Sequence, residues 1–334
     1  MIRKGIIIFV AISLISFTSL FILNNSTESL TAISALQPKY ILVVLLLVFF
    51  DWWIGAWRNT IFVRKVIPDA PQSICFNANL ANIFMGAVTP SQTGGGPMHL
   101  YMLYRKGVKI TDGIVLSIIN FISSILFFVG SAGLALWYLQ DSEINRPLYT
   151  LITSGFTLFS TLFTIIFIGL IAPNLISRML DKFGSALSAI SKKYDKKIKG
   201  FIEKIKLKLT EYNNTVTLFI RKHPWLLPYS LILTIIMYLN KYLIAYILVL
   251  ALGMNADFWS VISIQAIIFF LLYFAPSPGG SGIAELSIAF LMGQFIPEAG
   301  IPFFTVLHRS FLLFLPAIVG AIIVLRELKN HSLE

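Results

Sequence analysis

Charged residues are scarce in this chain. Only 12% of its 334 residues are Asp, Glu, Lys or Arg and 57% are apolar, whereas a soluble domain carries about 25% charged residues. This scarcity excludes a single soluble domain, and the apolar majority excludes a disordered chain. The sequence therefore predicts an all-α polytopic membrane protein, with room for about six to eight spans of roughly 20 residues.

Cysteine, histidine and the common catalytic motifs are also rare or missing. The single Cys75 excludes an internal disulfide, and four scattered histidines argue against a metal site, so we expect neither a metal nor another cofactor. Neither the G-x-x-x-x-G-K-[S/T] loop of P-loop ATPases nor the G-x-S-x-G elbow of hydrolases occurs. We therefore do not expect an enzyme.

Six apolar runs are long enough to predict full transmembrane helices. They cover residues 5–23, 40–57, 113–139, 148–172, 225–252 and 303–325. The first run follows two basic residues but lacks a small-x-small cleavage site, so we interpret it as a retained helix and not as a signal peptide.

Two further segments are apolar only in pieces. Segment 73–104 is interrupted by Thr89-Pro-Ser-Gln-Thr-Gly-Gly-Gly-Pro97, and segment 260–296 by Pro276-Ser-Pro-Gly-Gly-Ser-Gly282. Such runs of proline, serine and glycine cannot continue a helix. We interpret each segment as a re-entrant helical hairpin. Two short full spans in each segment are the alternative, and they would preserve the topology.

The distribution of charge predicts the orientation. The net charge is +11, and this topology leaves two basic and five acidic residues in outer loops but 22 basic and eight acidic residues in cytoplasmic segments. By the positive-inside rule, both termini are cytoplasmic, in the cell (inner) membrane. The predicted divisions are an N-terminal membrane half (1–172), a cytoplasmic segment (173–224) and a C-terminal membrane half (225–334).

Segment 173–224 carries 12 basic and four acidic residues, and its apolar residues recur with a mean step of 3.6. This pattern is typical of an amphipathic helix, which we expect to lie on anionic inner-leaflet lipids. The alternative is packing against a partner chain, for which a homodimer is one candidate. Nucleic acid is not expected, because aromatic and basic residues do not interleave as in a base-stacking groove.

The two broken segments align without a gap at an offset of 186. Residues 89–100 lie over residues 275–286 with five identities in twelve positions, and His99 falls opposite Glu285. Paired Gly/Pro-broken helices in two inverted halves indicate a midplane substrate site in transporters. The freed N–H groups at the start of each second half-helix favour an anion. Glycine-rich surface loops between short spans are the alternative.

The predicted substrate-binding residues lie in and beside the two breaks. They are Ser91, Gly94, Gly96, His99, Ser277, Gly280, Gly282, Glu285 and Arg309. Arg309 is predicted either to bind a lipid phosphate or to pair with Glu285.

Four other charged residues are assigned by their positions in the spans. Asp51 and Lys241 lie at membrane depth, where an unpaired charge is costly, so a stabilising pair or a coupling role is expected. Arg58 and Arg105 lie at cytoplasmic ends, and we expect them to reach lipid phosphates and to stay outside the substrate path.

The pattern Pro-Ser-Pro-Gly-Gly-Ser-Gly-x-x-Glu at residues 276–285 resembles the second signature of the flippase-like, lysylphosphatidylglycerol synthase transmembrane family. The first block at residues 89–103, the Tyr104-Arg105 pair and Arg309 resemble the same family, which includes the membrane half of the multiple peptide resistance factor. In many relatives the first block has a Gly-Glu or Gly-Asp step and an arginine in place of His99. The first site of this chain is therefore expected to recognise something different.

The resemblance implies a lipid flippase or scramblase whose partner is a phospholipid or another anionic or aminoacylated lipid. A second hypothesis is a membrane-embedded transferase acting on a lipid-linked substrate, with Glu285 or His99 as general base. Because the chain ends about ten residues after its last apolar run, we expect no soluble aminoacyltransferase domain.

Overall fold

The computed structural model describes residues 2–23, 36–140, 146–171, 200, 202–203 and 222–331. Every regular element in these ranges is helical, which confirms the predicted all-α class. The α-helices are α1 (Ile2–Leu23), α2 (Pro38–Val66), α3 (Gln72–Val88), α4 (Gly95–Tyr104), α5 (Ile110–Leu139), α6 (Arg146–Ile171), α7 (Leu226–Ala251), α8 (Phe258–Tyr273), α9 (Ile283–Met292), α10 (Ile301–Arg309) and α11 (Leu315–His331). Three short 3₁₀ turns (Pro90–Gln92, Pro278–Gly280, Glu298–Gly300) and a π-helical turn (Ser310–Phe314) connect some of them.

The contacts divide the chain into two units. The larger unit is Met1–Tyr149 with Tyr229–Glu334, and the smaller is Thr150–Pro228. The predicted basic segment 173–224 lies almost wholly outside the described residues, so its helical form and its membrane contact stay predictions.

Four helical stretches in the described part of the chain are long and apolar enough to cross a membrane. They are Pro38–Val66, Ile110–Leu139, Leu226–Ala251 and Glu298–Lys329, which coincide with four of the six predicted spans. The other two predicted spans fall on α1 and α6, which are helices of 22 and 26 residues. The count of six full spans stays a prediction.

Both broken segments form a helix, a turn and a second helix. We call residues 72–104 the first hairpin, with residues 89–94 as its tip, and residues 258–292 the second hairpin, with residues 276–282 as its tip. The second helix of each, α4 or α9, has 10 residues. At 1.5 Å per residue it is about 15 Å long, half of a hydrocarbon core of about 30 Å. Neither α4 nor α9 can therefore cross the membrane alone.

The internal repeat extends well beyond the two tips. Shifting α2 and α3 by 186 residues places them at 224–252 and 258–274, where α7 (Leu226–Ala251) and α8 (Phe258–Tyr273) lie. The packing repeats as well: α3 packs against α11, which follows the second hairpin, and α8 packs against α5, which follows the first. The first helix of each hairpin thus contacts the helix that follows the other hairpin.

A glycine on α11 allows the backbones of α3 and α11 to approach each other closely. A Cβ atom at Gly320 of α11 would collide with the carbonyl oxygen of Leu80 on α3. Small residues permit such backbone approaches between membrane helices. This contact fixes the first hairpin against the last helix.

Candidate substrate site

The two hairpin tips touch each other. The backbone N–H of Ser91 donates to the carbonyl oxygen of Pro276 over 3.3 Å. Both tips use left-handed backbone: φ is 50° at Ser91, 55° at Gln92 and 59° at Gly279. This conformation costs a non-glycine residue free energy. The first tip therefore stores backbone strain that the second tip avoids with glycine.

A buried ion pair holds the second tip. Nε of Arg309, at the end of α10, lies 3.0 Å from Oε1 of Glu285, near the start of α9. Nη2 of Arg309 donates to the carbonyl oxygen of Gly279 and to Oγ of Ser281, over 3.0 and 3.1 Å. Oε2 of Glu285 accepts the backbone N–H of Gly282 over 2.6 Å and so caps α9. The pairing of Glu285 with Arg309, one of the two predicted roles, is present.

The first tip contains no charge and is held by hydroxyl groups. Oγ1 of Thr89 donates to the carbonyl oxygen of Met85 over 2.6 Å and accepts the backbone N–H of Gly94 over 2.9 Å. Oγ1 of Thr93 donates to the carbonyl oxygen of Pro90 over 2.9 Å. Residues 90–93 of the turn are exposed in the described chain, although Ser91 contacts the second tip.

A cavity of about 230 Å³ lies beside the tips, and Gln92 of the first tip and Gly279 of the second both line it. We call its lining residues the cavity wall. The other strongly polar members are Arg58, Asn79, Asn82, Lys241, His308 and Arg309. Each wall helix has its repeat counterpart in the wall: α2 corresponds to α7, α3 to α8, and α5, shifted by 186 residues to 296–325, to the stretch that contains α10 and the π-helical turn. The cavity is therefore built from corresponding elements of both halves.

A second ion pair lies next to the cavity. Nζ of Lys241 on α7 is 2.5 Å from Oδ2 of Asp51 on α2. The neighbouring Asn240 donates to the carbonyl oxygen of Leu47 over 2.9 Å. The ion pair expected between Asp51 and Lys241 is present and joins corresponding helices of the two halves, while a coupling role for it stays a prediction.

Arg58 lies where the sequence interpretation did not place it. We expected a side chain reaching lipid phosphates, but Arg58 lines the cavity and its Nη1 donates to Oγ1 of Thr234 over 3.0 Å. Its Nε is buried without a hydrogen-bond partner in the described part of the chain. The reason is helical spacing: Arg58 follows Asp51 by seven residues, or two turns, so both point toward α7.

The sequence interpretation also missed four other polar residues of the wall: Asn79, Asn82, Gln92 and His308. Asn79 and Asn82 are three residues apart on α3 and both line the cavity. This spacing places them on one helix face, and on so apolar a helix it was a usable signal. His308 was not singled out either; its Nε2 lies 3.0 Å from Oε1 of Gln265.

The nine predicted substrate residues all fall in described parts of the chain, and of them Arg309 lines the cavity. Those that form the tips or follow them directly are Ser91, Gly94, Ser277, Gly280, Gly282 and Glu285. Gly96 and His99 belong to α4, where Gly96 faces open space and His99 is buried. Direct substrate contact by these eight residues stays a prediction.

Comparison with known proteins places these features in a family. Residues 6–320 match the family model described as the lysylphosphatidylglycerol synthase TM region, a range that includes both hairpins and the cavity wall. The chain is also similar to a protein of Archaeoglobus fulgidus described as a UPF0104 membrane protein. The two are 24% identical over 302 residues, which cover 88% of this chain and 87% of that protein. This chain therefore belongs to the lysylphosphatidylglycerol synthase transmembrane family.

Proposed function

We propose that this protein moves a lipid between the two leaflets by passing its polar headgroup through the cavity, while the tails stay in the bilayer. The observation that carries the proposal is the polar cavity of about 230 Å³ where two Gly/Pro-broken hairpins meet. Irregular backbone at membrane depth is tolerated only beside protein or a water-filled cavity, and in inverted-repeat transporters it forms the substrate site. Ligand pockets for drug-sized molecules measure about 300–1,000 Å³, so this cavity has room for a headgroup but not for a two-tailed lipid.

The proposed topology has six spans, two re-entrant hairpins and cytoplasmic termini, in the cell membrane. One contact supports the side of the membrane on which the first hairpin ends. Nζ of Lys106, just after α4, lies 3.1 Å from Oε1 of Glu327 near the end of α11. The basic end of the first hairpin and the end of the last helix are therefore at the same level. The positive-inside rule assigns that level to the cytoplasm.

A second contact supports the proposal that the second hairpin enters the membrane from the side opposite to the first hairpin. The hydroxyl of Tyr138, near the end of α5, donates to Oδ2 of Asp257 over 3.2 Å. Asp257 is the N-cap of α8, where the second hairpin begins. Since α5 starts just after the first hairpin and is long enough to cross the membrane, its far end and the start of the second hairpin lie on the other side.

The transferase hypothesis has less support. Both carboxylate oxygens of Glu285 are engaged, by Arg309 and by the N–H of Gly282, and Glu285 is 1% exposed. His99 is 5% exposed, and neither residue lines the cavity. A general base at either position would have no access to a substrate held there.

The test is a leaflet-exchange assay in proteoliposomes with a fluorescently labelled phospholipid and a quencher outside. Ile83→Trp fills the cavity from α3, whereas Leu134→Trp changes a side chain that is 69% exposed on α5. We expect wild type and Leu134→Trp to accelerate exchange and Ile83→Trp to fall to the rate of protein-free liposomes. Normal exchange by a folded Ile83→Trp variant, or recovery of lipid with an altered mass, would overturn the proposal.

A further inference from the structure

The charges of the cavity wall are all of one sign. Arg58, Lys241 and Arg309 line the cavity, and no carboxylate is present among the described residues of the wall. A ligand in this cavity therefore faces three cations directly.

Two of these cations are neutralised from behind the wall. Asp51 pairs with Lys241, and Glu285 pairs with Arg309. The two carboxylates are 7% and 1% exposed, and Oδ1 of Asp51 is buried without a hydrogen-bond partner among the described residues. Neither carboxylate lines the cavity, and the five groups together leave one uncompensated positive charge.

Arg58 carries that charge. Arg58 donates a hydrogen bond to Thr234, a neutral hydroxyl, and within the described ranges no carboxylate lies within ion-pair distance of it, so Asp51 attracts it only from a longer distance. Its Nε is buried and has no partner there. An unpartnered guanidinium N–H and an uncompensated positive charge in the wall of a cavity favour the binding of an anion.

Neutral donors surround the same space. The amide groups of Asn79, Asn82 and Gln92 line the cavity, and no hydrogen bond joins them to the described residues. Two tyrosines, Tyr238 and Tyr273, complete this part of the wall. Amide N–H₂ groups and the guanidinium fork match the several oxygens of a phosphate.

We propose that the cavity binds a headgroup of net negative charge, a phosphate or phosphodiester held by Arg58, and excludes headgroups whose charge an amine balances or reverses. An ammonium group would lie beside three cations, while the two nearby carboxylates are ion-paired and do not line the cavity. The lipid nature of the ligand rests on the proposed function, but the anion site does not.

The first test compares three labelled lipids in proteoliposomes: anionic phosphatidylglycerol, zwitterionic phosphatidylethanolamine and cationic lysylphosphatidylglycerol. We expect wild type to move the anionic lipid at least about tenfold faster than the others, which corresponds to about 1.4 kcal/mol. Arg58→Gln should abolish this preference and Arg58→Lys should retain most of it. The matched control is Arg326→Gln, an exposed position on α11, which should behave as wild type. Equal rates for the three lipids in wild type, or full preference in Arg58→Gln, would overturn the proposal.

A second measurement separates recognition from folding. Because Arg58 is not ion-paired in the described chain, Arg58→Gln should lower the unfolding temperature in detergent by no more than the loss of its one hydrogen bond to Thr234 does, as measured with Thr234→Val. A marked drop in this temperature would assign Arg58 a structural role and overturn the proposal.

Glycerol phosphate distinguishes a lipid headgroup from a soluble anion. It should raise the unfolding temperature of wild type and leave that of Arg58→Gln unchanged. If glycerol phosphate has this effect but no lipid moves, the anion site stands and the proposed function fails. If lipids move without charge preference and glycerol phosphate has no effect, the anion site fails and the proposed function stands.

Discussion

The two hairpins follow the same helix–turn–helix course, but they are held by different chemistry. The second tip is covered, uses glycine at its left-handed positions and is closed by the buried pair of Glu285 and Arg309. The first tip is exposed, places Ser91 and Gln92 in left-handed backbone and is closed by neutral hydroxyl groups. The repeat has therefore preserved the path of the backbone and not the interactions that fix it.

This difference implies different roles for the two tips. The charged groups at the second tip bind each other and the backbone of the tip. Breaking a buried ion pair costs far more free energy than losing a neutral hydrogen bond. The first tip is free of charge and strained, which is how proteins hold segments that contact ligands or change conformation. We therefore expect substitutions at the second tip to act mainly on stability.

The largest effect is expected for Glu285→Ala. It leaves Arg309 buried without its carboxylate, which should lower the free energy of unfolding by about 3–5 kcal/mol, whereas Thr89→Val at the first tip should cost about 1 kcal/mol. Detergent-induced unfolding measures both. The double variant Glu285→Ala with Arg309→Met should recover most of the loss. Equal losses at the two tips would show that the hairpins are held alike.

A smaller effect is expected for Gly280→Ala. At Gly280 φ is +68° and an added Cβ would lie 2.9 Å from Cδ2 of Leu272, so the variant should lose about 1–3 kcal/mol. Gly96, in the first turn of α4, faces open space. Gly96→Ala should therefore keep or slightly raise the unfolding temperature. A loss from Gly96→Ala as large as that from Gly280→Ala would contradict the contrast between the tips.

The start of each hairpin offers a third comparison. Oδ2 of Asp257 accepts the N–H and the hydroxyl of Ser260 and caps α8, whereas Pro71 gives α3 no side-chain cap. Asp257→Ala should cost about 1 kcal/mol. These hydrogen bonds lower the pKa of Asp257 from its ordinary value of 3.8.

The stabilisation by Asp257 should therefore be complete above about pH 4 and decline as the pH falls through the lowered pKa. Unfolding of wild type and Asp257→Asn between pH 7 and pH 3 measures this. A difference that grows on acidification would contradict the capping role.

The smallest effect has the opposite sign. Ser91→Gly relieves a φ of 50° and should stabilise the protein by about 0.5 kcal/mol, after the entropic cost of glycine. Ser277, its counterpart at the offset of 186, has an ordinary φ of −80°. Ser277→Gly should therefore destabilise. The unfolding temperatures of the two variants test this prediction. If both substitutions stabilise the protein, or both destabilise it, backbone strain at Ser91 does not explain the result.

Local sequence predicted the features that depend on local backbone chemistry. The two breaks were predictable because proline and glycine runs end helices wherever they occur. The position of Glu285 in the first turn of α9 followed from the glycines before it. The cost of isolated charges at membrane depth made its pairing with Arg309 one of two alternatives, and the structure contains that pair.

The cavity itself depends on contacts that the sequence does not display. Arg58 lies near the end of an apolar run, and its place in the cavity results from the packing of α2 against α7. Asn79, Asn82 and Gln92 carry no charge, so the cost of an isolated charge in a membrane does not point to them, and the shared helix face of Asn79 and Asn82 is the one sequence signal for this part of the wall.

The π-helical turn at Ser310–Phe314 has a consequence for the whole C-terminal helix. A π turn holds one residue more than an α turn, and one residue rotates an α-helix by about 100°. Deleting one residue from this turn would restore continuous α-helix and rotate Gly320 away from Leu80, bringing a side chain into a contact that tolerates none. The turn thus sets the rotational phase of α11, and with it the register in which the last helix meets the first hairpin.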